Sequence, residues 1–115
     1  MDVVENATDI PVGYSGHCYV KNDRAQYYLL SKTSFAQYQL HREGGPAVVY
    51  DNGAEVWYKH GMFHRLDGPA CKLKNGDDFR CEYWINGVNY SVESYWNHPL
   101  VAEYKLKSIL EDKGS

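Results

Sequence analysis

The sequence predicts a mainly β chain of the α+β class. Its core is an antiparallel β-meander of about five to seven strands, built of repeated hairpins and closed by a C-terminal helix. Three observations carry this. The segment His41-Arg42-Glu43-Gly44-Gly45-Pro46-Ala47 returns 23 residues later as His64-Arg65-Leu66-Asp67-Gly68-Pro69-Ala70. Asn52-Gly53 and Asn75-Gly76 repeat at the same offset, and Asn-Gly is the strongest short hairpin signal. The chain also carries 11 Tyr and 10 Gly, a composition of strands and tight turns rather than of helices.

In chain order, residues 1–13 contain Pro11 and Gly13 and are expected as a loose N-terminal arm of a single 1–115 domain. Residues 14–40 read as a degenerate first hairpin, with Cys18-Tyr19-Val20 leading through Asn22-Asp23 to Tyr27-Tyr28, and with a helical turn over Ser34 to Tyr38. Residues 41–90 hold two hairpin repeats. Pro46 and Pro69 open the first strands, where a missing N–H harms a ladder least. Ala47 to Tyr50 and Ala70 to Lys74 run into type I′ turns at the two Asn-Gly pairs, the extra Asp77-Asp78 either widening the second loop or forming a bulge. Glu55 to Lys59 and Phe79 to Ile85 return. His60-Gly61 and Asn86-Gly87 then turn into short third strands at Met62-Phe63 and Val88 to Tyr90. From residue 91 the rhythm is helical to 112. Ser91 caps a turn through Trp96, and Pro99 opens a helix whose apolar stripe, Leu100, Tyr104, Leu106, Ile109 and Leu110, is expected to pack on the sheet.

A formal charge of −3 and the absence of a basic stripe argue against nucleic acid as a partner. Aromatic sheets do stack on single strands, but acidic residues accompany these aromatics as often as basic ones do. Cys18, Cys71 and Cys81 are odd in number and contain no CxxC pair, so free thiols, at least two of them buried, are expected. The acidic start MDVVENATDIPVGY is not a signal peptide, and no stretch nears the roughly 18 apolar residues of a membrane helix.

The residues able to carry chemistry each have a structural reading beside the functional one. His41-Arg42 and His64-Arg65 could serve as a general base with an anion clamp. Because both residues repeat, a structural job in each unit is preferred: Arg65 pairing with Asp67 or turn carbonyls, and His64 orienting the Gly68-Pro69 turn. Zinc on His41, His60, His64 and Asp67 is not expected, since Gly61 breaks the helix that the i, i+4 histidines would need. No nucleophile elbow, P-loop or dinucleotide fingerprint is present, so no enzyme activity, metal or cofactor is expected.

The aromatics are the remaining candidates. Alternation puts Trp57 and Tyr83 on one face with Glu55, Lys59, Cys81 and Ile85. Tyr58 and Trp84 fall on the other face with Val56, Arg80 and Glu82. Two readings stand open. Either the N-terminal segment covers one face and the C-terminal helix the other, or one face stays partly open and binds a partner. Trp57, Tyr58, His64, Arg65, Tyr83 and Trp84 are the binding candidates, Tyr, Trp and Arg being common interface anchors.

The run Trp57-Tyr58-Lys59-His60-Gly61-Met62-Phe63-His64-Arg65-Leu66-Asp67-Gly68-Pro69-Ala70, a pattern W-Y-x-x-G-x-x-H-R-x-D-G-P-A, resembles a repeat of small tailed-phage and giant-virus proteins. It is also similar to MORN-type repeats, which stack Gly-punctuated hairpins into a sheet. The likeness spans residues 39–98, and Tyr90 to Pro99 resembles the closing segment of such proteins. The first copy departs from the pattern, with Gly44 in the place of Asp67. The resemblance implies a viral accessory protein of the host cytoplasm, a binding module that modifies or inhibits a host protein. A small nuclease or transferase using His64, Arg65 and Asp67, and a self-assembling structural protein or homodimer, are the alternatives.

Overall fold

A computed structural model, which describes residues 1–34 and 37–114, is mainly β with a helical C-terminal end. The strands are β1 (Asp2–Val4), β2 (Gly16–Val20), β3 (Ala25–Ser34), β4 (Gln37–Leu40), β5 (Val48–Tyr50) and β6 (Glu55–Val56). They continue with β7 (Tyr58–Lys59), β8 (Met62–Phe63), β9 (Cys71–Asn75), β10 (Asp78–Ile85) and β11 (Val88–Tyr90). Helices α1 (Val92–Trp96) and α2 (Pro99–Gly114) follow. The main sheet has the order β1-β2-β3-β5-β6-β9-β10-β11, with β4 added on β3, while β7 and β8 form their own pair.

Three similar units make up this sheet. The hairpins β2-β3, β5-β6 and β9-β10 lie side by side through the antiparallel pairs β3–β5 and β6–β9. Each return path then doubles back once more, β4 on β3, β8 on β7 and β11 on β10. The first copy, worn in sequence, is thus complete in geometry. The strand count exceeds five to seven partly because the second return strand divides at Trp57. The Trp57 N–H still reaches the Ala70 carbonyl of the next unit at 2.6 Å, while Tyr58 turns away to pair with Phe63.

The turns differ in type from expectation. Type I′ geometry, positive φ at both central residues, belongs to His60-Gly61 (+49°, +80°) and Asn86-Gly87 (+49°, +80°). At Asn52-Gly53 only the glycine is left-handed, and its N–H bonds the Tyr50 carbonyl at 3.0 Å, a three-residue loop ending in a bulge. In the second unit Asn75 pairs directly with Asp78 across Gly76-Asp77, so Asp78 belongs to the strand and does not widen the loop.

Residues 1–13 are not a loose arm. β1 pairs in parallel with β2, placing Asp2 beside Cys18 and Val4 beside Val20, so the sheet is mixed rather than wholly antiparallel. Ile10 is 1% exposed in the core, and the buried Lys32 ammonium meets the carbonyls of Ala7, Thr8 and Ile10 at 3.2, 3.1 and 2.5 Å. One apolar anchor and one ion satisfying three carbonyls hold the segment, a link that local sequence rules do not see. The helical turn expected over Ser34 to Tyr38 is also absent at its described positions. Ser34 pairs with Gln37 at the ends of β3 and β4, and residues 35 and 36 lie outside the described residues.

Two cores fill the two faces. The larger contains Ile10, Cys18, Val20, Tyr27, Leu29, Val48, Val56 and Cys71, with Tyr58, Phe63 and Trp84 packed against it. The smaller joins Ile85, Tyr95 and Val101, with Tyr83 and Tyr90 beside them. On the return strands Tyr58 and Trp84 are therefore packed on one face and Tyr83 on the other, while Phe79 stays exposed. Cys18, Cys71 and Cys81 are unbridged and the first two are buried, which pushes the Cys71 thiol up to about 11.

The C-terminal helix departs from its expected packing. Val101 is 2% exposed and anchors its first turn, but Leu106, Ile109 and Leu110 remain exposed rather than covering the sheet. Apolar residues spread round most of its circumference, so no single stripe is available to lie flat.

Candidate functional site

The repeated His-Arg pairs staple each unit to the next. His41 Nδ1 accepts the N–H of His60 at 2.9 Å, and His64 Nδ1 accepts the N–H of Asn86 at 3.0 Å. Each histidine thereby caps the type I′ turn of the following unit. His64 does not orient the Gly68-Pro69 turn as expected; that task falls to the neighbouring arginine. Arg42 Nη1 donates to the Pro46 carbonyl and Arg65 Nη1 to the Pro69 carbonyl, both at 3.2 Å. Both guanidinium planes lie over an aromatic ring at 3.9 Å, Arg42 over Tyr28 and Arg65 over Trp57.

Tyr28 and Trp57 are equivalent in every backbone contact. Their N–H groups bond Ala47 and Ala70, and their carbonyls accept from His41 and His64. Tyr83 is the third member of this ladder. Among the described residues no arginine lies above it, and Tyr95 of α1 packs there instead, 4.8 Å between ring centres. The Tyr95 hydroxyl, in a residue with 0% exposure, donates to the Arg65 carbonyl at 2.5 Å and accepts the Gly68 N–H at 3.2 Å. Helix α1 therefore ends the repeat stack as a capping element.

Gly45 and Gly68 explain the Gly-Pro-Ala signature. A Cβ on Gly68 would lie 3.0 Å from Arg65 Cζ, and one on Gly45 would lie 2.9 Å from Arg42 Cζ. Gly68→Ala is expected to lift the guanidinium off Trp57 and the Pro69 carbonyl, costing about 1–2 kcal/mol in a denaturant melt. Gly45→Ala should behave alike. Unchanged stability in both would show that the arginine lid contributes nothing.

The six binding candidates are all half-buried and do not form one surface. Tyr58 and Trp84 flank Phe63 in the larger core, each 4.9 Å from it, and Tyr83 lies under Tyr95. Trp57, Tyr58, His64 and Arg65 do share a cleft of about 210 Å³, whose walls also include Arg42, Glu43, Lys59, Asp67 and Tyr104. Lys59 and the helix residue Tyr104 were not among the sequence candidates; Arg42 was considered there as an anion clamp beside His41 but not among the six binding residues. Among the described residues no group of three or more His, Cys, Asp or Glu side chains is placed to hold a metal ion. No helix among them is long and apolar enough to cross a membrane.

No family model, curated protein or solved structure matches the chain.

Burial, aided by the Lys59 charge, lowers the His64 pKa below its usual 6.5, and its role as acceptor from Asn86 requires the neutral ring. The unfolded chain therefore binds a proton at a higher pH than the folded one. The His64 contribution is fully present above pH 6.5 and is lost as pH falls through the lowered folded value. Urea melts from pH 7.5 downward should show this loss, and His64→Asn, which keeps an acceptor but no titration, should flatten that part of the profile. Parallel profiles would refute it.

Proposed function

We propose that the protein is a protein-binding module rather than an enzyme, and that its contact surface is the outer face of α1 and α2. One observation carries this reading. Trp96, Leu106 and Ile109 are 47%, 58% and 44% exposed round an open groove that Val101, Ala102 and Lys105 complete. Contiguous exposed apolar surface of this kind is the usual mark of an interaction site, and Trp is the commonest interface anchor. Both His-Arg pairs meanwhile spend a histidine nitrogen and an arginine nitrogen on backbone groups, in the same way in each copy. That supports a structural role for them over general-base chemistry.

The proposed occupant is an apolar segment of a host-cell protein with an acidic flank to meet Lys105. The likeness of the repeat to those of small viral proteins supports a host partner, with action by modification or inhibition in the host cytoplasm. The test combines light scattering at micromolar concentration with capture from host lysate, using the wild type and the exposed-site variants Leu106→Glu and Ile109→Glu. The reading expects a monomer that retains one stoichiometric partner, lost in both variants while their melting temperatures hold. A dimer that the same variants dissolve would replace it with self-assembly. Capture indifferent to both variants would overturn the α2 surface.

A further inference from the structure

The two His-Arg loops are near copies, and they differ in one respect that matters chemically. Arg65 Nε donates to Asp67 Oδ1 at 2.7 Å, so the guanidinium is held by a carboxylate on one edge, Pro69 on another and Trp57 beneath. Arg42 has an aromatic ring beneath it, Tyr28, and the equivalent proline carbonyl, Pro46, but Gly44 stands where Asp67 would be. Among the described residues Arg42 Nε has no acceptor. Glu43, next in the chain, is engaged elsewhere, on His41 Nε2 at 3.0 Å.

This edge belongs to the cleft described above. Lys59 lines the same cleft and has no ion-pair partner among the described residues. Of the two carboxylates on the wall, Asp67 is paired with Arg65, while Glu43 accepts from His41 Nε2, a ring that takes the His60 N–H on Nδ1 and so brings no charge. The cleft thus offers an oriented guanidinium and an ammonium, two cationic groups against the single carboxylate of Glu43, beside the rings of Trp57 and Tyr58. Arginine fixed in this way is pre-organised for a planar carboxylate, because stacking and the proline contact have already removed its rotamer freedom.

We propose that the cleft between the two His-Arg loops binds a carboxylate, which takes on Arg42 the place that Asp67 takes on Arg65, with Lys59 as its second contact. The ligand class is an acidic side chain or chain terminus of a peptide, or a small carboxylic acid. The cleft meets α2 at Tyr104 but uses none of Trp96, Leu106 or Ile109, so either proposal can fail without the other.

The second loop is a built-in control. In the 15N-labelled full-length chain, acetate added at constant ionic strength against chloride should move the Arg42 Nε–H resonance along a saturating curve. The Arg65 resonance should stay, since Asp67 occupies it. Lys59→Gln, at an exposed position, should weaken acetate binding several-fold, and Asp67→Gly, which reproduces Gly44 of the first loop, should make Arg65 respond as Arg42 does. Acetyl-Glu-amide and acetyl-Ala-Ala with a free carboxyl terminus then distinguish the source, with acetyl-Gln-amide as the uncharged control. A peptide acid binding more tightly than acetate assigns a peptide ligand, and equal affinity assigns a small acid. An unmoved Arg42 resonance, a linear drift, or equal movement of both arginines in the wild type would overturn the proposal.

Discussion

Tyr95→Ala should lower folding stability by about 4 kcal/mol, the usual cost of emptying a fully buried aromatic site. For a chain of this length that corresponds to a fall in melting temperature of about 15 °C or more. Three contributions vanish together. The ring leaves the smaller core of Ile85 and Val101, Tyr83 loses its cover, and the hydroxyl no longer bridges the Arg65 carbonyl and Gly68 N–H. Tyr95→Phe separates the parts. It keeps the ring and strands two polar groups of the second loop, which should cost about 2 kcal/mol. A phenylalanine variant as stable as the wild type would show that the hydroxyl bridge is not a structural link between α1 and the repeat.

Lys32→Met should be the other severe substitution, at about 3 kcal/mol, because removing one partner of a buried ionic contact leaves the others unsatisfied. The Ala7, Thr8 and Ile10 carbonyls would lose a donor, and of the three contacts the one to Ile10 is buried. Limited proteolysis gives the sharper readout. Cleavage within residues 1–13 should speed up well before the sheet melts, since Gly13 and Tyr14 keep their backbone bonds to residue 32. Digestion of this segment at the wild-type rate would mean that Ile10 and β1 hold it without the lysine.

The repeat itself was legible because its landmarks are local. A Pro that opens a strand and a left-handed Gly in a turn act within a few residues of chain. The turn types were less legible. Asn-Gly pairs are the stronger signal on paper, yet type I′ geometry went to His60-Gly61 and Asn86-Gly87. Those turns join tightly paired two-residue connections, whereas the Asn52-Gly53 loop carries an extra residue. The candidate site was half legible. Repetition correctly marked His64 and Arg65 as partners of the fold, but it grouped Trp57 with Tyr83 and Tyr58 with Trp84 without showing what lies over each pair. Arg42 and Lys59 come beside Arg65 only when successive units stack.

By itself the sequence determined the mainly β class, the hairpin boundaries, the third strands and the unbridged cysteines, since each follows from short-range backbone preference or composition. Tertiary structure alone decided which groups meet across distance. It tied Lys32 to the carbonyls of residues 7–10, placed Tyr95 over the second loop, and left α2 largely unpacked. Such contacts depend on how neighbouring units stack. Alternation along one strand assigns a residue to a face but carries no information about which distant segment will cover it.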